Sequence, residues 1–265
     1  MSGTYIALIV SLGLLTGDAV IELAYITSMV AYLHGGAPSG TFVVNTPATH
    51  VANEGSQPTY EIKGKPLHML VNQGHTSNGA AGSAIVLIGI VGVLALFARA
   101  RFPGRRFTRF LYNFWMILQI PCFLLTLSAL GYTFAVTNKH RNQIINQNVA
   151  YASQPGPYAL DQWTPQNWFS AVLSQLDLAD ADLRSNLAHH LRIMRGWQYN
   201  LIPLFLLQLA ETVLAIVDWR AWKRTGGHNG GQTGCTPSWS ANGYNNEKYQ
   251  GQGDYNNGAD PQQYA

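Results

Sequence analysis

The chain has 265 residues, 47% of them apolar and 11% charged, with a formal net charge of +3. So few charges cannot cover so much apolar surface in a soluble protein, and the small positive excess sits beside apolar runs, so no nucleic-acid partner is expected. There are two cysteines, Cys122 in an apolar run and Cys235 near the C-terminus. No disulfide can therefore staple a loop within the chain, which argues against claudins and tetraspanins.

The first apolar run, 5–33, is predicted to cross the membrane. It has no Lys or Arg ahead of it and is too long for a signal-peptide core. At about 1.5 Å per residue it exceeds a hydrocarbon core of roughly 30 Å, so tilt or a projecting end is expected. Within it, "GDAVIELAY" at Gly17–Tyr25 carries Asp18 and Glu22, four residues apart and so expected on one side of a helix. Gly13 and Gly17 have the G-x-x-x-G spacing that lets helices approach closely.

The loop from His34 to Ala80 is rich in Gly, Pro, Thr and Asn, and its alternating stretches "TFVVN" and "TYEIKG" are predicted to pair as strands. Span two, 81–98, places Gly82, Gly89, Gly92 and Ala95 along one side, a second seam for packing within the chain. The link "RARFPGRRFTRF" carries Arg99, Arg101, Arg105, Arg106 and Arg109, and by the positive-inside rule it belongs to the cytosol. Both termini are then expected in the cytosol and both long loops outside. Span three, 110–136, contains Gln119.

The second loop, 137–198, offers Thr164 as an N-cap with Pro165 behind it, then another start at Asp180 or Asp182. Leu183, Leu187, Leu191 and Met194 follow at helical spacing, so an amphipathic helix is expected over 182–195, ended by Gly196. It reads as a lid on the span ends or the outer leaflet. Trp163, Trp168, Phe169, Trp197 and Tyr199 are expected at the membrane interface, and Arg192 and Arg195 near lipid phosphates or the helix C-terminus. Span four, 199–217, has Pro203 in its opening turns and contains Gln208 and Glu211. The tail, 221–265, has no Leu, Ile, Val, Phe or Met and is expected to be disordered and cytosolic, with possible cytosolic protein contacts. Residues 1–220 are thus expected to form one all-α membrane domain: a four-transmembrane-helix bundle with two exoplasmic loops and an amphipathic lid helix.

"LVNQGHTSNGAAG" at Leu70–Gly82 and "HLRIMRGWQYNLIP" at His190–Pro203, each entering a span, resemble segments of uncharacterised four-span membrane proteins of filamentous fungi. The resemblance covers residues 1–224 in organisation and transfers no catalytic residue. In topology alone the chain is also similar to MARVEL-type tetraspans, which organise membrane subdomains or traffic.

Seven histidines, His34, His50, His68, His75, His140, His189 and His190, fall in the outer loops without a recognised ligand spacing. Neither a nucleophile elbow, a Walker loop, a CxxC pair nor an H-E-x-x-H is present. No catalytic, cofactor or metal residue is assigned. The candidate site is the intramembrane polar set Asp18, Glu22, Gln119, Gln208 and Glu211. A carboxylate is expensive in hydrocarbon, so these residues are expected to face the bundle interior and hydrogen-bond there. The expected function is non-enzymatic organisation of a region of the plasma membrane or endomembrane system, with membrane lipids as partners and homo-oligomers possible. A proton-coupled carrier and a membrane-embedded lipid enzyme are the alternatives.

Overall fold

The computed structural model describes residues 3–48 and 57–224. Its long helices are α1 (Gly3–Gly35), α2 (Asn72–Arg101), α3 (Arg106–Lys139) and α6 (Ala181–Arg224), each long and apolar enough to cross a membrane. Two strands, β1 (Thr41–Asn45) and β2 (Thr59–Lys63), and two short helices, α4 (Gln147–Ala152) and α5 (Pro165–Gln175), complete the fold. The fold class is the expected one, an all-α four-span bundle. Its connecting loops carry more structure than the sequence suggested.

The bundle is organised by a buried seam on each helix. On α1 the buried positions Leu8, Leu12, Leu15, Ala19, Glu22, Ile26, Met29 and Leu33 alternate at spacings of four and three. That is the knob spacing of helices packed at a shallow angle. The same pattern runs along α3 from Thr108 to Thr133 and along α6 from Leu187 to Asp218. Contacts pair Ser11 with Glu211, Glu22 with Asn200 and Tyr32 with His190, stepping down α6 as they climb α1. The two helices are therefore antiparallel in one register.

In α2 the turn Ala84–Ile90 is π-helical, and the Trp115 indole of α3 donates to the Ile88 carbonyl at 3.0 Å. A π-turn loosens the helical hydrogen-bond ladder, so a side-chain donor can take up a carbonyl there. Gly89 and Gly92 lie where Thr16 and Trp115 press against α2. Gly13 and Gly17, by contrast, are exposed, and an added Cβ at either would meet nothing within 4 Å. The expected glycine seam within the chain is therefore found on α2 at Gly89 and Gly92 but not at Gly82, where an added Cβ also meets nothing within 4 Å, and the α1 pair faces away from the bundle.

Both long loops fold together into a cap over one end of the bundle. β1 and β2 pair antiparallel with Phe42 opposite Ile62 and Val44 opposite Tyr60, and these four alternate residues are buried. They pack with Tyr158, Trp163, Trp168, Phe169 and Leu187 in one core that also includes Met29 and Tyr32 of α1. Polar bonds fasten this cap to the spans. Lys65 Nζ donates to Leu33 O at 3.0 Å, Asn167 Nδ2 to Thr137 O at 2.8 Å and Gln166 Nε2 to Met194 O at 2.6 Å. The first two take carbonyls near span ends and the third one inside α6; at Leu33 a cation stabilises the helix C-terminus.

The predicted starts are found: Thr164 Oγ1 caps α5 by accepting from Asn167 N, and Asp180 Oδ1 accepts from Asp182 N and Leu183 N at the head of α6. The predicted stop at Gly196 is not. The stripe through Leu187, Leu191 and Met194 continues in phase through Leu201 and Leu204, so burial favours one unbroken helix. Gly196 lies against the Tyr25 ring, where an added Cβ would stand 3.4 Å from it. Lid and span four are thus one 44-residue helix, and Pro203 is in its interior. Of the tail expected to be disordered from 221, Ala221–Arg224 extend α6; residues 225–265, with Cys235, and His50 lie outside the described residues.

Candidate functional site: the polar seam

Four of the five intramembrane polar residues occupy seam positions that a leucine would otherwise fill. Glu22, Gln119, Gln208 and Glu211 are fully buried. Ser11 Oγ donates to Glu211 Oε2 at 2.7 Å, and Asn200 Nδ2 donates to Glu22 Oε2 at 3.1 Å, so each glutamate is tied across the α1–α6 interface. Thr212 Oγ1 donates to the Gln208 carbonyl at 2.8 Å and lies 3.3 Å from Gln119 Oε1, which brings α3 into the same set.

Asp18 departs from the pattern. It falls beside seam residue Ala19 and is only half-buried, and one helical turn from Glu22 it stays on the same side of α1, as their spacing predicts. Glu211 does not join this pair: it sits at the level of Ser11, which at about 1.5 Å per residue is roughly 16 Å along the axis from Glu22 and about 10 Å from Asp18. Asp18 Oδ2, Glu22 Oε1, Glu211 Oε1, Gln119 Nε2 and both side-chain polar atoms of Gln208 are buried without a partner among the described residues.

A second polar group, unexpected from the sequence, closes the other end of the bundle. Arg99 forms an ion pair with Asp218, and Tyr112 Oη donates to Asp218 Oδ2 at 2.5 Å. The guanidinium lies over the rings of Tyr5, Tyr112 and Trp222, 5.0–5.6 Å from their centroids. Asp218 is an acid in the last turns of span four at a seam position, and only a cation from a neighbouring span can neutralise it there. Seam phase was therefore the available signal; counting Arg99 only as one of five link arginines concealed it. The same applies to Ser11 and Asn200, ordinary residues until the antiparallel register pairs them with glutamates.

The candidate lid residues divide by phase. Leu187, Leu191 and Trp197 are buried on the seam face of α6, while Arg192 and Arg195 are exposed. Trp163 and Trp168 are not at the lipid interface: both are fully buried in the cap core, with Trp168 Nε1 donating to Gly64 O at 2.8 Å. Burial leaves the Tyr60 hydroxyl without a partner and pushes its pKa above the ordinary 10.0; burial does the same to Tyr158, partly offset by the Asn146 amide that donates to it. Among the described residues no three His, Cys, Asp or Glu side chains gather as a metal site. Compared with family models, curated proteins and solved structures, the chain matches none.

Proposed function

We propose that this chain is a non-enzymatic organiser of a membrane region, with its termini in the cytosol and the folded cap on the exoplasmic face. The arrangement of the carboxylates carries the reading. Glu22 and Glu211 sit at separate levels of one helix seam, each hydrogen-bonded to a neutral partner on the facing helix. Polar residues spaced along an apolar seam penalise every other register, because a slipped helix leaves them facing leucine. Such a bundle is suited to hold a rigid cap at the membrane surface. A carrier or lipid enzyme asks instead for acids that meet at one reacting or binding point.

The orientation rests on the five arginines at and between the facing ends of α2 and α3 and on Arg220, Lys223 and Arg224 in the last turns of α6. To test both parts, a fluorescent tag after Ala265 is imaged in cells and a cysteine at exposed Gln162 is labelled with an impermeant maleimide. The reading predicts immobile patches and labelling from the exoplasmic side alone. A uniform, freely diffusing distribution contradicts the organiser, and labelling of Gln162→Cys from the cytosol contradicts the topology.

A further inference from the structure

Between the cap and the outer ends of α1, α2 and α6 lies a cavity of about 350 Å³. Its apolar wall includes Ile26, Met29 and Val30 of α1 and Met194 of α6. The titratable groups that line it are Lys65, His34 and His75, and no carboxylate is among them. Lys65 spends one donor on Leu33 O, at the end of α1. Trp197, 6% exposed, has a buried indole N–H without a partner among the described residues, a donor left for an acceptor to satisfy.

We propose that this cavity binds a single-chain anionic amphiphile, a long-chain fatty acid, with its carboxylate toward Lys65 and its chain along Ile26, Met29 and Met194. Three features of the site select that class. The walls are largely apolar, as an acyl chain requires. The ionisable groups are all of the type that becomes cationic, and Trp197 adds a further donor, so an acceptor-only head is complementary. The volume lies at the small end of the roughly 300–1,000 Å³ usual for ligand sites, which suits one chain better than a two-chain lipid. Its place at the outer membrane boundary gives a chain entry from the leaflet while the head stays beside the cap. The acids of the polar seam take no part.

The test uses the purified full chain in nanodiscs of neutral phosphatidylcholine and cis-parinaric acid as the probe, since its polyene accepts excitation energy from a tryptophan in contact with it. Saturable energy transfer is expected, displaced by oleate and at least about tenfold less well by oleyl alcohol, which has the same chain and no charge. Lys65→Gln is expected to weaken binding by about tenfold. Because Lys65 also caps α1, a second variant separates binding from folding. Gly74 lines the cavity, and a Cβ built there meets nothing within 4 Å, so the side chain of Gly74→Leu starts into open space at the cavity wall and improves helix propensity. It should keep the melting temperature and abolish the transfer. Wild-type binding in a well-folded Gly74→Leu protein, equal competition by oleyl alcohol, or displacement only by an anionic phospholipid would each overturn the assignment.

Discussion

Replacing glycines one at a time by alanine distinguishes the seam inside the bundle from the glycine face left outside it. At Gly92 a new Cβ would stand 2.8 Å from Trp115 Nε1 and 2.9 Å from Cε2, with Leu12 Cδ2 at 3.1 Å. The indole cannot move aside, because it is fully buried and its N–H is bonded to Ile88 O. At Gly89 the nearest atom is Thr16 Oγ1, at 2.7 Å, held by its own bond to Leu12 O. Overpacking of this kind costs about 1–3 kcal/mol, against which the propensity gain of alanine is at most about 1 kcal/mol. For a chain of this size a net cost of up to about 2 kcal/mol is a fall in melting temperature of up to about 8 °C. Gly13→Ala and Gly17→Ala meet no atom and should leave the melting temperature unchanged or slightly raised. Thermal unfolding of the four variants in one detergent, followed by tryptophan emission, reads this directly. Destabilisation by Gly13→Ala or Gly17→Ala, with Gly89→Ala and Gly92→Ala neutral, would refute the helix arrangement.

Three further outcomes follow from the same contacts. Asp218→Ala strands Arg99 and removes the acceptor of Tyr112, so it should cost about 2–4 kcal/mol, below the full value of a broken buried pair because Arg99 retains 19% exposure. Arg99→Met combined with Asp218→Leu should recover much of that loss in chemical denaturation, and equal effects from the single and double variants would deny the pairing. Tyr60 and Tyr158 hold their protons more tightly folded than unfolded, so their contribution is intact below pH 10.0 and is lost as pH rises through their elevated folded values. Tyr60→Phe with Tyr158→Phe should flatten the alkaline decline in a pH series of melting curves; an unchanged decline assigns it elsewhere. Trp168→Phe removes the pyrrole half of the indole, which leaves a cavity in the cap core and Gly64 O without its donor, a loss of roughly 2–4 kcal/mol visible as earlier proteolysis of the cap.

Helix length and apolarity made the four spans legible, and local chemistry gave the hairpin and the Thr164 and Asp180 caps, because each of those features is settled within a few residues. The fate of Gly196 was not local. Glycine ends a helix when nothing is gained by continuing, and here the Leu187–Leu204 stripe buries against α1 without a break. Trp163 and Trp168 misled in the same way: an amphipathic ring suits an interface, yet it also suits a core in which its N–H finds a carbonyl. The polar set was legible as residues but not as geometry. Spacing on α1 alone joins Asp18 to Glu22, whereas the seam phase, visible only over several heptads, makes Glu22 the buried one of the two and shows why Arg99 and Asp218 belong together.

The proposed organiser role requires Glu22 and Glu211 to act as hydrogen-bonding seam residues and not as proton carriers. Glu22→Gln and Glu211→Gln keep size and an acceptor oxygen toward Asn200 and Ser11 but remove titration. Abundance, localisation and the phenotype relative to a deletion strain, measured in the double variant, decide the matter. We expect wild-type behaviour in all three. A double variant that folds and localises normally yet matches the deletion would contradict the account.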